Sequence, residues 1–66
     1  RPYLKTEIYK HMPGAERAGY FDDLRQLRYR LYKCGEVEYR GEALTTAADL
    51  SRWRHFDVFA VPEEID

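Results

Sequence analysis

A chain of 66 residues with one cysteine and two histidines excludes an internal disulfide and matches no zinc-ligand spacing. A net charge of −1 gives no sign of a polyanion-binding tail, and an aromatic content of 15% that includes six tyrosines argues against disorder. One domain of this size buries only ~60% of the surface its unfolded chain exposes, so a thin core calls for a partner or for self-association.

The lone Cys34 fits an intracellular reducing compartment. No apolar run approaches the ~18 residues of a spanning helix, and no signal-peptide apolar region is present. The chain opens on Arg1 without an initiator Met, as a processed product or an excerpt would.

In chain order, residues 1–14 predict an N-terminal arm. Leu4 and Ile8 are four apart, which reads as an extended stretch followed by one or two helical turns, closed by Pro13-Gly14. The core is expected over residues 15–62. Its first element is a helix from about Ala15 or Asp22 to Cys34, because Tyr20, Leu24, Leu27, Leu31 and Cys34 recur at alternating spacings of four and three. Asp22 and Asp23 near its start and Arg30 and Lys33 near its end suit the helix dipole. Gly35 follows as a left-handed C-terminal residue.

Glu36 to Thr45 predicts a hairpin, with Val37 and Tyr39 alternating with charged residues and Arg40-Gly41 as the turn. A hairpin is not stable alone and must lie against another element. Thr46 and Asp49 then resemble a capping box opening a second helix, whose Ala47, Leu50 and Trp53 face the core. Phe56, Val58 and Ala60 alternate with Asp57 and Phe59 as a short strand or a tail pinned by aromatics. Residues 63–66 form an acidic tail, read as a solubilising end, or as an element that docks onto a basic partner or back onto Arg25 to Lys33.

The candidate functional groups are few. Arg25, Arg28, Arg30 and Lys33 carry four positive charges, the pattern of a nucleic-acid-binding module with stacking Tyr side chains. On a helix, however, they project at about 100°, 40°, 240° and 180° from Leu24, so they spread over a solvated surface. Phe21, Arg25, Arg28 and Tyr32 cluster beside the apolar stripe instead, and Tyr and Arg are typical of interface hot spots. His11 and His55 are isolated, and Cys34 lies on the apolar stripe as an inert thiol.

Leu24 to Trp53 resembles the helix–hairpin–helix head-completion proteins of tailed phages, the family of lambda protein W. The residues that carry the resemblance are the leucine-spaced helix ending at Gly35, then Tyr39, Gly41, Leu44, Thr45, Asp49 and Leu50. It covers less than half of the chain. The arm before Asp22 and the stretch HFDVFAV depart from it. The resemblance implies a non-enzymatic connector that docks into a larger oligomer.

These readings predict an α+β domain, helix–β-hairpin–helix, with a core of Leu24, Leu27, Leu31, Val37, Leu44, Leu50 and Trp53. The expected function is a non-catalytic assembly or adaptor subunit without cofactor or metal, docking on a larger protein complex or on itself. The expected contact residues are Phe21, Arg25, Arg28, Tyr29 and Tyr32, with Tyr3 and Tyr9 in the arm and Phe56 and Phe59 near the end. The alternatives are nucleic-acid binding through Arg25, Arg28, Arg30 and Lys33, and inhibition of an enzyme through the same aromatic surface.

Overall fold

The computed structural model describes residues 1–66, which form one α-helix, one 3-10 turn and a four-stranded antiparallel sheet. The elements are β1 (Leu4–Ile8), α1 (Gly14–Gln26), β2 (Tyr29–Lys33), β3 (Ala43–Leu44), the 3-10 turn (Ala47–Ser51) and β4 (Phe56–Pro62). The sheet order is β1-β4-β2-β3, and every neighbouring pair is antiparallel. The α+β class stands, but the expected helix–hairpin–helix arrangement does not form, since only one α-helix is present.

β1 replaces the expected arm of residues 1–14. The four-residue spacing of Leu4 and Ile8 also fits a strand, because it is two strand periods and puts both on one face. Thr6 and Ile8 are β-branched and suit a pleated surface. The helix then begins after Pro13 and ends at Gln26, well short of Cys34. Its inner face is Arg17, Tyr20, Phe21 and Leu24, at i, i+3, i+4 and i+7, with Arg17 5% exposed.

The helix stops where Arg28 takes a left-handed conformation at φ 64. Its carbonyl accepts the Glu63 N–H, and its N–H donates to the Arg25 carbonyl. Beyond this hinge the chain runs as β2, so Leu31 is buried from a strand, while Leu27 stays exposed at the hinge. Arg30 and Lys33 are strand residues, not the end of a helix.

Residues 34–42 form a loop where a hairpin strand was expected, and Val37 is 96% exposed, outside the core. β3 pairs with β2 through Leu31–Leu44 and Tyr32–Ala43. Neither Gly35 nor Gly41 has a positive φ. Gly41 is required for another reason, since a Cβ there would collide with the Lys33 carbonyl oxygen.

The Asp49 half of the expected capping box is present: its carboxylate accepts the N–H of Thr45 at 2.8 Å and of Thr46 at 3.2 Å. It caps a five-residue 3-10 turn, not a second α-helix. That turn buries Leu50 against α1, and Trp53 is half-buried beside it.

β4 is the central strand. It pairs with β1 on one side and β2 on the other, which explains its burial from end to end. Phe56, Val58 and Ala60 face α1 together with Ile8, Leu31, Leu44 and Leu50, and these make the main core. Residues 63–66 turn back on the strand, with the N–H groups of Ile65 and Asp66 donating to the Pro62 carbonyl.

Arg17 fastens this core. Its Nε donates to the Met12 carbonyl at 2.9 Å. Nη1 donates to Leu50 and Trp53 at 2.8 and 2.6 Å, and Nη2 to Tyr9 and Arg54 at 3.0 and 2.9 Å. All five N–H groups of the guanidinium thus meet backbone carbonyls, which satisfies the otherwise costly burial of a charge.

Candidate docking face

The side of the sheet away from α1 has no layer of secondary structure over it. Alternation along the strands places Tyr3, Lys5 and Glu7 there from β1 and its flank, Asp57, Phe59 and Val61 from β4, and Arg30 and Tyr32 from β2. The loop 34–42 folds over part of this face and brings Tyr39 and Arg40 to it.

Phe59 is the centre of an aromatic cluster. The Tyr3 and Tyr39 rings meet it edge-on, with centroids 5.5 and 5.4 Å away. Both are half in water, Tyr3 51% and Tyr39 57% exposed. Such edge-to-face contacts contribute about 0.5–1.5 kcal/mol each. Cations lie over the outer rings: Lys5 Nζ is 5.0 Å from the Tyr39 centroid and the Arg40 guanidinium 5.4 Å from that of Tyr32.

Asp66 gathers the polar side of the cluster. The Tyr32 hydroxyl donates to its carboxylate at 2.6 Å, and Arg40 and Arg30 approach it at 2.9 and 3.8 Å. The hydrogen bond to Asp66, then partial burial, raises the Tyr32 pKa above its ordinary value. Cys34 lies at the start of the loop, and burial followed by the Asp57 charge pushes its thiol up, away from a reactive thiolate.

A shallow cleft of about 370 Å³ opens at the β2–β3 edge, between Arg25, Arg30 and Glu63 on one side and Leu44 and Thr45 on the other. Arg25 reaches Glu63 at 3.3 Å and Arg30 at 3.9 Å, so the charges there are paired within the chain. No three His, Cys, Asp or Glu side chains are gathered where they could share a metal ion. No helix is long and apolar enough to cross a membrane.

The expected contact residues are scattered by this fold. Phe21, Tyr29 and Phe56 are buried on the α1 side and cannot meet a partner while the domain is folded. Phe59 is buried too, but as the floor of the second face. Tyr3, Tyr32 and Phe59 do come together. Tyr9 lies past the end of β1, where its hydroxyl meets Glu16 at 3.3 Å. Arg25 and Arg28 sit near and at the helix–strand hinge, and Arg25 is held by the Tyr29 carbonyl at 2.6 Å as well as by Glu63.

The four cations do not share a groove either. Arg30 is on the second face, whereas Lys33 lies over the Trp53 ring at 5.2 Å on the other. Tyr39, Lys5, Arg40 and Asp66 belong to the face without having been singled out for it. The alternation Asp57-Phe59-Val61 was the available signal, since it gives the central strand a second apolar side.

No family model matches this chain, and no curated protein or solved structure matches it.

Proposed function

We propose that this chain is a non-catalytic assembly or adaptor subunit that docks on a larger protein through the uncovered sheet face. One observation carries the reading: Tyr3, Tyr32 and Tyr39 surround Phe59 on a face with no covering layer, and the exposed Val37 stands at the tip of the adjoining loop. Aromatic rings with one face covered and one edge wet supply large contact area at small entropic cost. The contact residues are therefore Tyr3, Tyr32, Tyr39 and Arg40 around Phe59, rather than the helix-borne set. A connector role of the kind implied by the phage-head resemblance is compatible with such a face.

Binding of single-stranded nucleic acid would also use stacked rings, but it needs a groove of unpaired cations. Here Arg30 and Arg40 approach Asp66, and Lys5 lies 3.8 Å from Asp57. That pairing favours a protein partner.

The test is affinity capture from nuclease-treated extract of the source cells, wild type against the double variant Tyr3→Ser, Tyr39→Ser. Wild type should retain a specific protein in about 0.5 M salt, where phosphate contacts are largely lost. The variant should lose that protein while it stays folded by circular dichroism at the capture temperature, its melting temperature lowered by roughly 5–20 °C through the two lost ring contacts. Retention by the variant would rule out this face. Loss from wild type with nuclease or salt would point to nucleic acid instead.

A further inference from the structure

β1 is an edge strand, and its outer side pairs with nothing in the chain. Which of its backbone groups are free follows from the ladder beside it. Across β2 and β4, the Cys34 N–H donates to the Asp57 carbonyl and the Glu63 N–H to the Arg28 carbonyl. In an antiparallel ladder hydrogen-bonded and non-bonded pairs alternate, so Asp57, Phe59 and Val61 direct their backbone groups at β2. Phe56, Val58 and Ala60 serve β1 through Ile8, Thr6 and Leu4. The N–H and C=O of Lys5 and Glu7 therefore point out of the free edge.

The sequence of this edge is chemically palindromic about Thr6. Tyr3-Leu4-Lys5-Thr6-Glu7-Ile8-Tyr9 reads aromatic, aliphatic, cation, hydroxyl, anion, aliphatic, aromatic. An antiparallel copy with its two-fold axis at Thr6 sets Lys5 opposite Glu7, Leu4 opposite Ile8 and Tyr3 opposite Tyr9. Lys5 and Glu7 are the residues with free backbone groups, so each such pair exchanges two backbone hydrogen bonds. The two threonines face each other at the centre, a favourable cross-strand pair.

The charges also select this register. A slip of two residues one way puts Lys5 against Lys5, and the other way Glu7 against Glu7, both repulsive. A slip of one residue turns the apolar face outward. Within one chain, Glu7 stands directly opposite Asp57, a like-charged cross-strand pair. His55 contacts only one oxygen of Glu7, at 2.7 Å, and the side chain is exposed enough to accept a second cation.

We infer that two copies of this chain pair through β1, antiparallel about Thr6, to form a two-fold dimer with one continuous eight-stranded sheet. The interface is isologous and is carried by the β1 backbone and the Lys5–Glu7 pairs; it shares Tyr3 with the docking face, so its test leaves Tyr3 unchanged and does not rest on the proposed function. It places the two uncovered faces side by side on the same side of the joined sheet.

Sedimentation equilibrium on the 66-residue chain, from about 10 μM to about 1 mM, tests this. Wild type should show a concentration-dependent doubling of mass. Lys5→Glu and Glu7→Lys should each weaken the dimer about tenfold or more, since both symmetric pairs turn repulsive. An equimolar mixture of the two variants should form a heterodimer, because both facing pairs become attractive again. If either single variant fails to fold by circular dichroism, the same-chain swap K5E/E7K gives the reading, with a dimer of wild-type strength expected. A wild-type monomer throughout, an unaffected dimer in the single variants, or no recovery in the mixture or the swap would overturn the inference.

Discussion

The two faces of this sheet are held by different physics. The α1 side is sealed by aliphatic packing: Ile8, Leu31, Leu50 and Val58 are at most 2% exposed, and Arg17 ties the turns around them to one guanidinium. The other side is covered by tyrosine rings and cations still partly in water, with the Asp66 carboxylate tucked beneath them. Loss of a group from the first leaves a cavity or stranded carbonyls. Loss of a group from the second leaves surface that water can wet. A small domain can therefore offer the second face to a partner and keep its fold.

The sharpest way to break this comparison is at Arg17. Arg17→Ala takes a donor from five carbonyls, of which that of Tyr9 keeps the Met12 N–H, and should cost roughly 3–5 kcal/mol, most of the stability of a domain this size. Arg17→Lys keeps the charge but offers three donors, and should lose about 2–3 kcal/mol. Urea denaturation followed by circular dichroism measures both. If Arg17→Lys unfolds at the wild-type midpoint, the knot does not hold the fold.

A finer comparison uses neighbours on β2. Leu31 and Tyr32 are adjacent and point to opposite faces. Leu31→Ala should cost about 2–5 kcal/mol through the cavity it leaves. Tyr32→Ala removes the 2.6 Å bond to Asp66 and the stacking of Arg40, and should cost about 1 kcal/mol. Equal losses in the two denaturation curves would mean that the faces are not energetically distinct.

The same contrast explains what could be read in the sequence. Leu24, Leu31, Leu44 and Leu50 were expected in the core and lie there, and Asp49 caps its turn. The α1 face was hidden because its key position is an arginine: with Arg17 counted as polar, the i, i+3, i+4, i+7 pattern from residue 17 to 24 is invisible. The helix end was hidden because the left-handed hinge residue is Arg28 and not glycine. Without that stop, Leu24, Leu27 and Leu31 read as one stripe, although Tyr29-Arg30-Leu31-Tyr32 also alternates as a strand. Gly35 and Gly41 carried the expected turn signal, but their need is close backbone approach in the loop. The second face depends on Tyr39 and Asp66 arriving from a loop and a terminus, and no local period records that.

The smallest effect lies at the rim where the faces meet, and it is a pH effect. Arg1 donates to Glu64 at 2.6 and 3.0 Å and to the Leu27 and Arg28 carbonyls, fastening the hinge to the end of β4. The hydrogen bond from Arg1, then the backbone N–H of Glu64 itself, brings that carboxyl from 4.5 to about 2. The N–H groups of Thr45 and Thr46 lower Asp49 in the same direction. A carboxyl with a depressed folded pKa binds its proton more readily in the unfolded chain, so its stabilisation is present above about 4.5 and is lost as pH falls toward about 2. The melting temperature should accordingly hold steady above pH ~5 and decline below it. Glu64→Gln should shallow that decline without changing its onset from Asp49, and Glu64→Gln with Asp49→Asn should shallow it further. Glu64 is exposed and Asp49 half-buried on a surface turn, so the change should be smaller than that of either β2 substitution. A decline of unaltered depth in the double variant would place the acid sensitivity elsewhere, with Asp66 beneath Arg30 and Arg40 as the next group to replace.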